Sequence, residues 1–563
     1  MKKILYCLVA LLCLGACVED NSKEGNNNVN IVTLSIPQSR TIKFFEGTYT
    51  LDVSEFIEQT KAPDLSNLKF QWGWSNRSFV LANMSLEEGE IASTDSYVDL
   101  TMESIDTFSD FANYYRLRVY DELTGITYHA DLSTKVVRPF EGSWMVLHEQ
   151  GGTKVGAVEF LGTGEENVYT DVFQEYGLSP LTGNPAGLGV IPKMTYIEWP
   201  PVFNRSTDYQ NLLFVMTDNV EETANYAQWA SFTKTRKLAD MVANPLLITS
   251  GALGEGAYLY GTFYGAVGYL GAIIGGQMYK SKYALRMYQS QPDESSMPGE
   301  YYISHGLKVS TMTLGYDRIG RRIVYCMDNT DGYATPIYSV TAWDESKENT
   351  TKIKSIKRVS NPENVLVDPI PEDREVVFFG SGPYSMNSTN ALYVTSFALA
   401  VGVNGNSESY VYTLTDGNKM NATSNPAVLD YYTFDTPEGM DENSCFAATS
   451  QFTGFFYYSA GNKIYRYNFV TKNNTLIYEH AAGGAVIAMK FARDQEIYQR
   501  PEYESYEYTV MRSLGVAINN GSNGELVILE LSEAGALLKS SDYLRPPKSE
   551  YAGFGKIKDI VFL

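Results

Sequence analysis

Histidine and cysteine are scarce in this sequence, with four and five residues among 563. Motifs that bring such residues into chemistry are missing: H-E-x-x-H and C-x-x-C for zinc, and G-x-S-x-G for a nucleophilic serine. No histidine has a partner at metal-ligand spacing; the four are His129, His148, His305 and His480. We therefore expect a protein that is not an enzyme and holds no metal or cofactor, although catalytic triads can be assembled from distant residues.

Basic residues are also few. Lysine and arginine number 44 against 66 acidic residues, which gives a formal net charge of −22. Nucleic-acid binding requires a cationic face, and docking on anionic lipid headgroups requires one as well. The composition therefore argues against a nucleic-acid partner and leaves a covalent lipid anchor as the expected contact with a membrane.

Long apolar runs are missing too. Residues 4–14 form an uncharged run of eleven residues after Lys2 and Lys3, which is shorter than the ~20 residues of a membrane span and typical of a secretory signal. Residues 256–279 carry no charge, but seven of the 24 are glycine. Glycine disfavours a helix by about 1 kcal/mol each, so we predict strands joined by a glycine-rich turn there.

The tetrapeptide Leu14-Gly15-Ala16-Cys17 resembles the lipobox of bacterial lipoproteins. That resemblance implies a signal peptide at residues 1–16 and a diacylglycerol on Cys17. The acidic, asparagine-rich stretch that follows resembles the export signal of surface lipoproteins in Bacteroidetes-type bacteria. We therefore expect residues 17–32 to be a flexible tether and the protein to sit in the outer membrane, lipid-anchored and facing the exterior. An ordinary signal peptide with an incidental cysteine is the alternative.

Two cysteines remain outside these segments. Cys7 and Cys13 would leave with the signal peptide, and Cys326 and Cys445 lie far apart in the sequence. Oxidising conditions outside the inner membrane permit a disulfide between them. We favour two free thiols, so that the stability of the fold rests on its core.

Residues 33–138 alternate apolar and polar positions, which is typical of β-strands. Leu68, Phe70, Trp72 and Trp74 would share one face of a strand, and an alternating run interrupted at residues 123–125 predicts a hairpin. We interpret this region as a β-sandwich with strand spacing like that of an immunoglobulin-type fold.

From residue 139 to 563 short strand pairs recur without a clear linker. The apolar stretches AVIAMKF and KIKDIVF, which begin at Ala485 and Lys556, close two similar units 71 residues apart. Repeated four-stranded units predict a β-propeller, here of about seven blades. The fold class is thus all-β, a sandwich followed by a propeller; two or three further sandwiches in series are the alternative.

Aromatic and acidic side chains supply the candidate site residues. Trp199, Trp229 and Trp343 lie in polar, loop-like contexts, where a large ring could stack on a sugar or a peptide side chain. They are the predicted ligand-binding residues. The carboxylates that could serve a hydrolase are Asp368, Glu372 and Asp373 in one loop and Asp328 and Asp331 in a turn; calcium binding is the alternative role for that turn.

The lipobox, the tether, the sandwich and the opening G-S-W-x-V-L-x-E at residues 142–149 together resemble the PKD-like family of Bacteroidetes lipoproteins. The W-D-F-G-D-G loop of true PKD domains is missing. The resemblance implies an accessory role beside Sus-type nutrient importers, in which a TonB-dependent SusC-like barrel and a SusD-like lipoprotein take up oligopeptides or glycans.

The sequence thus predicts a non-enzymatic surface lipoprotein of such an uptake complex, which binds cargo, the importer or both. Two alternatives remain open. One is a surface hydrolase whose propeller carries paired carboxylates, and the other is a scaffold that binds partner proteins and no nutrient. The identity of the cargo and the face that meets the importer are not specified by any motif.

Overall fold

The structure is a computed structural model, and each statement below refers to the residues that it describes. These are residues 30–36, 39–43, 49–62, 64–75, 90–100, 113–137, 140, 142–160, 166–195, 209–221, 223–227, 233–241, 248–255, 257–264, 267–282, 286–309, 312–327, 352–357, 368–386, 392–415, 427–449, 452, 454–492, 512–538 and 547–563.

Contacts divide the chain after Val137 into two compact units. The described part of the first unit contains nine strands and a 3₁₀ helix at Val53–Phe56. The strands are β1 Val32–Leu34, β2 Ser39–Lys43, β3 Tyr49–Asp52, β4 Ile57–Gln59, β5 Leu68–Ser75, β6 Glu90–Ser93, β7 Tyr97–Leu100, β8 Asn113–Asp121 and β9 Thr127–Val137.

These strands form a five-stranded sheet of order β2-β9-β8-β5-β6 and two small sheets, β1-β4 and β3-β7. Its core draws on all three sheets, with Trp72 and Leu117 from the large sheet and Leu51 and Val98 from the β3-β7 pair. The predicted alternation in β5 is confirmed where it can be described, since Leu68 and Trp72 are both buried. The predicted hairpin is confirmed as β8 and β9.

In the described part of the second unit there are 28 strands and three short α-helices, Val172–Glu175, Leu238–Met241 and Ser250–Glu255. The strands are β10 Trp144–Glu149, β11 Thr153–Phe160, β12 Glu166–Tyr169, β13 Pro185–Thr195, β14 Tyr209–Thr217, β15 Ala224–Ala227, β16 Thr233–Lys237, β17 Ala257–Tyr264, β18 Val267–Ile274, β19 Gln277–Lys282, β20 Arg286–Gln289, β21 Ile303–Val309, β22 Met312–Asp317, β23 Arg322–Met327, β24 Lys354–Ser355, β25 Arg374–Met386, β26 Leu392–Gly402, β27 Glu408–Thr415, β28 Ala427–Asp435, β29 Phe446–Ala447, β30 Phe455–Ala460, β31 Lys463–Asn468, β32 Asn473–Glu479, β33 Ala485–Phe491, β34 Ser513–Asn520, β35 Asn523–Glu530, β36 Lys548–Phe554 and β37 Lys556–Phe562.

The described strands of this unit form seven antiparallel four-stranded sheets. Sheet 1 is β37-β10-β11-β12, and sheets 2 to 7 are each made of four consecutive strands: β13–β16, β17–β20, β21–β24, β25–β28, β29–β32 and β33–β36. We call β37, β13, β17, β21, β25, β29 and β33 the first strands. First strands of neighbouring sheets contact each other: β13 contacts β37 and β17, β21 contacts β17 and β25, and β33 contacts β29 and β37.

The apolar core of this unit lies between neighbouring sheets. One cluster joins sheets 1 and 2 through residues such as Leu147 and Leu213, and another joins sheets 4 and 5 through Tyr316 and Phe379. Further clusters join sheets 3 and 4, 5 and 6, 6 and 7, and 7 and 1. Among the described residues, sheets 1, 4, 5, 6 and 7 therefore each contribute to two clusters, one with each neighbouring sheet, whereas sheets 2 and 3 each contribute to one.

The charge-free stretch at residues 256–279 forms strands, as predicted, and contributes to β17, β18 and β19. The turn between β18 and β19 consists of Gly275 and Gly276, with φ of 55° and 73°. A two-residue hairpin turn of this type needs positive φ at both positions, which glycine adopts without steric cost.

The two apolar repeats occupy equivalent positions, but not the predicted ones. AVIAMKF is β33 and KIKDIVF is β37, and each is the first strand of a sheet instead of the strand that closes one. The sequence therefore identified the repeat but placed its boundary one strand too late, since each stretch opens a sheet and does not close one. The reason is that both strands alternate buried positions with exposed or half-buried ones, so the two stretches show the same pattern wherever the unit is taken to begin.

The predicted motif G-S-W at residues 142–144 holds the last strand in place. The Gly142 N–H donates to the Leu563 carbonyl (2.7 Å), and the Leu563 N–H donates to the Ser143 carbonyl (2.8 Å). Trp144 pairs with Phe562 in the β10–β37 register, and their rings meet edge to face with centroids 5.4 Å apart. Sheet 1 is thus completed by residues more than 400 positions away.

His148 reinforces the same junction. The ring is wholly buried; its Nε2 lies 2.8 Å from the Thr170 carbonyl, and its Nδ1 accepts the Gly555 N–H at 3.0 Å. Nε2 therefore carries the proton and donates to Thr170. Burial lowers the pKa of His148, so the neutral ring is the folded form.

Cys326 and Cys445 are both free, which confirms the interpretation of two thiols. Cys326 is completely buried. Burial raises the pKa of the Cys445 thiol to about 11. The Cys445 thiol is consequently protonated at neutral pH, and the Cys326 thiol is closed off from solvent by its burial.

Candidate functional site

Several predicted site residues lie outside the described residues: Cys17, Trp199, Trp229, Trp343, Asp328 and Asp331. In the sequence, Trp199 falls between β13 and β14, Trp229 between β15 and β16, and Trp343 between β23 and β24. Each tryptophan thus follows the first or the third strand of its sheet. Their role in ligand binding stays a prediction.

The remaining carboxylate candidates occupy the connection between β24 and β25. Asp368 accepts a hydrogen bond from Ser355 Oγ at 2.8 Å, and Asp373 accepts one from Arg374 Nε at 2.9 Å. Glu372 is exposed. The Arg374 hydrogen bond lowers the pKa of Asp373, whereas a general acid needs a raised one. The described contacts give Asp368 and Asp373 separate partners and do not join them as a catalytic pair.

A different cluster lies among the first strands. Asp559 on β37 accepts a hydrogen bond from the Leu188 N–H on β13 through Oδ2, at 2.9 Å. Its Oδ1 accepts the Ile560 N–H at 2.8 Å and lies 2.7 Å from Lys490 Nζ on β33. One carboxylate therefore links three first strands, which belong to sheets 1, 2 and 7.

Tyr258 on β17 extends this arrangement to sheet 3. Burial among neighbouring residues raises the pKa of its hydroxyl, and the nearby Asp559 carboxylate raises it further. The side chain is nevertheless 45% exposed. We call Leu188, Tyr258, Lys490 and Asp559 the first-strand cluster.

His305 lies on β21, the next first strand. Its Nδ1 is 2.9 Å from Ser304 Oγ. Burial lowers the pKa of His305 to about 4, and Arg318 contributes in the same direction. The imidazole is therefore neutral at physiological pH and adds a hydrogen-bonding group, without charge, to the first strands.

The chemistry of the first-strand cluster favours binding over catalysis. Both oxygens of Asp559 already accept hydrogen bonds, and Lys490 is paired with it, so the carboxylate is not poised as a base or nucleophile. Among the described residues, no group of three or more His, Cys, Asp or Glu side chains is placed to hold a metal ion. What the cluster offers to a ligand is the face of an aromatic ring beside an ion pair.

A shallow groove of about 480 Å³ lies at the outer edge of sheet 1. It is lined by Glu166, Asn167, Val168, Tyr169, Thr170, Asp171, Gln174 and Glu175. Ligand sites are mostly apolar with a few polar groups, whereas this lining is largely polar and acidic. The groove is the weaker candidate.

The sequence contained one usable signal for the first-strand cluster. Lys490 is the one charged residue of AVIAMKF, and Asp559 is the one acidic residue of KIKDIVF; a charge in a largely buried strand needs a partner. The pattern could not identify that partner, because 69 residues separate the two. Tyr258 is one of 42 tyrosines and carried no signal of its own.

The PKD-like family model matches residues 17–185. The PKD-like match covers less than a third of the chain, and it spans the first unit together with β10–β12 of the second. It confirms the PKD-like resemblance over that stretch. No curated protein matches the chain.

Solved structures share only a remote likeness with the chain. A quinonprotein alcohol dehydrogenase-like protein from Bacteroides thetaiotaomicron is 10% identical, with 94% of this chain and 99% of that one covered, at a TM-score of 0.35. A nidogen/laminin complex is 6% identical, with 74% and 97% covered, at 0.27. A mitotic checkpoint complex is 9% identical, with 67% and 80% covered, at 0.23. At these TM-scores, none of the likenesses carries an argument about fold or function.

No helix among the described residues is long and apolar enough to span a membrane.

Proposed function

We propose that this protein is a lipid-anchored outer-membrane lipoprotein that binds cargo beside a Sus-type nutrient importer and catalyses no reaction. The observation that carries the binding role is the first-strand cluster, in which an exposed tyrosine lies near an ion pair whose carboxylate accepts two backbone hydrogen bonds. The cargo is an oligopeptide or a glycan, and the importer is a SusC-like barrel with its SusD-like lipoprotein.

The anchor rests on the signal at the start of the sequence. A positive pair, an apolar run of eleven residues and Leu14-Gly15-Ala16-Cys17 stand in the order that lipid attachment requires. The PKD-like match includes Cys17. We propose an acyl-modified Cys17, placed on the exterior of the cell by the acidic residues after it.

We further propose that the first unit is an immunoglobulin-like sandwich and the second a seven-bladed propeller. Seven four-stranded sheets, contacts between six of the seven successive pairs of first strands, and apolar clusters between six pairs of neighbouring sheets support this arrangement among the described residues. The pairing of β37 with β10 supports a ring in which the last strand completes the first blade. Sandwiches in series are disfavoured, because contacts keep residues 138–563 together as one unit.

If the second unit is a propeller, its first strands would form the wall of a central channel. In that fold the first strands surround a central channel, so the first-strand cluster would line it. Held near the importer by the anchor, such a channel would raise the local concentration of cargo at the entrance.

The proposed role predicts a stable complex at the outer membrane. The tagged, lipidated protein, purified from detergent-solubilised outer membrane, should bring down a TonB-dependent barrel and its lid lipoprotein in near-equal amounts by mass spectrometry. A Cys17→Ser variant, which cannot be acylated, should lose most of that recovery. Recovery of the wild-type chain without the barrel or the lid lipoprotein would contradict the accessory role and would favour the hydrolase alternative.

Tyr258→Ala should weaken cargo binding about ten-fold, or about 1.4 kcal/mol, because a central aromatic ring is a common source of binding energy. Isothermal titration with pooled oligopeptides and pooled glycans would measure this. Tyr431→Ala is the matched control, since Tyr431 is 39% exposed but lies on β28, the fourth strand of sheet 5. Equal cargo affinities of the Tyr258→Ala and Tyr431→Ala variants would show that the first-strand cluster does not bind cargo.

If the protein forms a complex with the importer but has no measurable affinity for cargo, the scaffold alternative is favoured.

A further inference from the structure

Exposed apolar side chains gather at one hairpin tip of the first unit. Leu123 is 59% exposed, Ile126 43% and Tyr120 40%, and all three belong to the β8–β9 hairpin or its turn. Ile31, at the start of the described chain, is 56% exposed. We call these four residues the tip patch.

The turn that presents Leu123 is held by hydrogen bonds. Asp121 Oδ1 accepts the Leu123 N–H at 3.0 Å, and its Oδ2 accepts Thr124 Oγ1 at 2.7 Å. The Gly125 N–H donates to the Asp121 carbonyl at 2.8 Å. A turn fixed in this way keeps an apolar side chain in solvent, where it gains nothing for the fold.

The same carboxylate fixes the point at which the predicted tether joins the unit. Asn30 is 1% exposed, and its Nδ2 donates to Asp121 Oδ2 at 3.1 Å and to Gln59 Oε1 at 2.7 Å. Ile31 follows directly. The predicted tether therefore joins the fold at a residue that is hydrogen-bonded to the carboxylate of the hairpin turn.

The tether length places this end of the unit near the membrane. Asn30 lies 13 positions after Cys17. A flexible chain of that length has a root-mean-square span of about 20 Å and a limit of about 45 Å. The charges beside the patch compensate each other, because Glu122 lies 3.8 Å from Lys69 Nζ.

We propose that the tip patch docks on the outer leaflet of the outer membrane, with Leu123 and Ile126 inserted at the boundary between headgroups and acyl chains. This inference rests on the lipid anchor of the proposed function and adds a second, non-covalent membrane contact to it. Apolar side chains on amphipathic surfaces reach about 5–10 Å into that boundary. The contact orients the hairpin tip toward the bilayer.

The test uses the full-length lipidated protein in phosphatidylcholine vesicles. Two variants are made: Leu123→Cys for the test and Asp131→Cys for the control. In each variant the new cysteine is labelled with a polarity-sensitive fluorophore. Cys326 and Cys445 should escape labelling in the folded protein, because one is buried and the other has a thiol pKa of about 11. Asp131 is exposed on β9, five residues beyond Ile126, which corresponds to about 16 Å along a strand.

Docking predicts a blue-shifted emission from the Leu123 label that bilayer-embedded quenchers extinguish, and a water-like emission from the Asp131 label. Water-like emission from both labels on vesicle-bound protein overturns docking and leaves the anchor intact. If mass spectrometry shows that the N-terminal peptide with Cys17 carries no lipid, both the proposed anchor and the proposed membrane docking are wrong. The two failures are thus distinguishable.

Discussion

Deletion of residues 556–563 should unfold the second unit. These residues form β37 and its final leucine, and they supply the first strand of sheet 1. Their loss leaves β10 with an unpaired edge, removes the ring contact between Phe562 and Trp144, and breaks the link from Asp559 to Leu188 and Lys490. No other described strand can take this place.

The expected cost is comparable to the stability of a whole domain. Ile557, Ile560, Phe562 and Leu563 are each at most 6% exposed. Burial of such a side chain contributes about 1.5–3 kcal/mol, so the four together contribute roughly 6–12 kcal/mol. Typical domains have a free energy of unfolding of about 5–15 kcal/mol. The shortened protein should therefore lose its cooperative thermal transition and its near-ultraviolet circular dichroism.

The matched control changes the same strand without touching its core. Lys556 and Lys558 are exposed, so a Lys556→Ser, Lys558→Ser double variant should melt close to the wild type. A deletion variant that still melts cooperatively, near the wild-type temperature, would show that β37 is dispensable and would remove the main support for a closed ring.

Acidification from pH 6.5 to about 4 should destabilise the second unit, and His305 should account for much of the effect. The folded state lowers the pKa of His305 from 6.5 to about 4, chiefly by burial. Between these two values the unfolded chain binds the proton and the folded chain does not. The stabilising contribution is therefore complete above pH 6.5, falls as the pH decreases, and is lost near pH 4. Its size is at most about 3 kcal/mol.

Chemical denaturation at pH 7 and at pH 4.5 measures this difference as a change in the free energy of unfolding. His305→Gln should shrink the gap between the two pH values by about 2–3 kcal/mol. His129→Gln, at an exposed histidine of the first unit, should leave the gap in the second unit unchanged. A gap of the same size in both variants would mean that other groups, such as His148, cause the acid sensitivity.

Much of the local structure was predictable from the sequence. Alternation identified the β8–β9 hairpin and the face of β5 that carries Leu68 and Trp72, because side chains on a strand point alternately to its two faces. Glycine content correctly assigned residues 256–279 to strands. The G-S-W motif was recognised as a marker of the second unit, but its function in holding the last strand was not.

The candidate site was not predictable in the same way. The sequence nominated Trp199, Trp229 and Trp343 for their polar contexts, and all three lie outside the described residues. The structure instead brought together Tyr258, Lys490 and Asp559. Each sits in a strand that reads as apolar or aromatic, and only their shared position among the first strands makes them neighbours.

By itself, the sequence determined the all-β class, the β8–β9 hairpin and the scarcity of histidine and cysteine, because these depend on local periodicity, turn chemistry and composition. The tertiary structure alone decided which strand completes sheet 1, and which backbone N–H groups Asp559 and His148 bind. Those contacts join residues 371 and 407 positions apart. A local pattern states that a buried charge or imidazole needs a partner, but only the packing of distant strands supplies it.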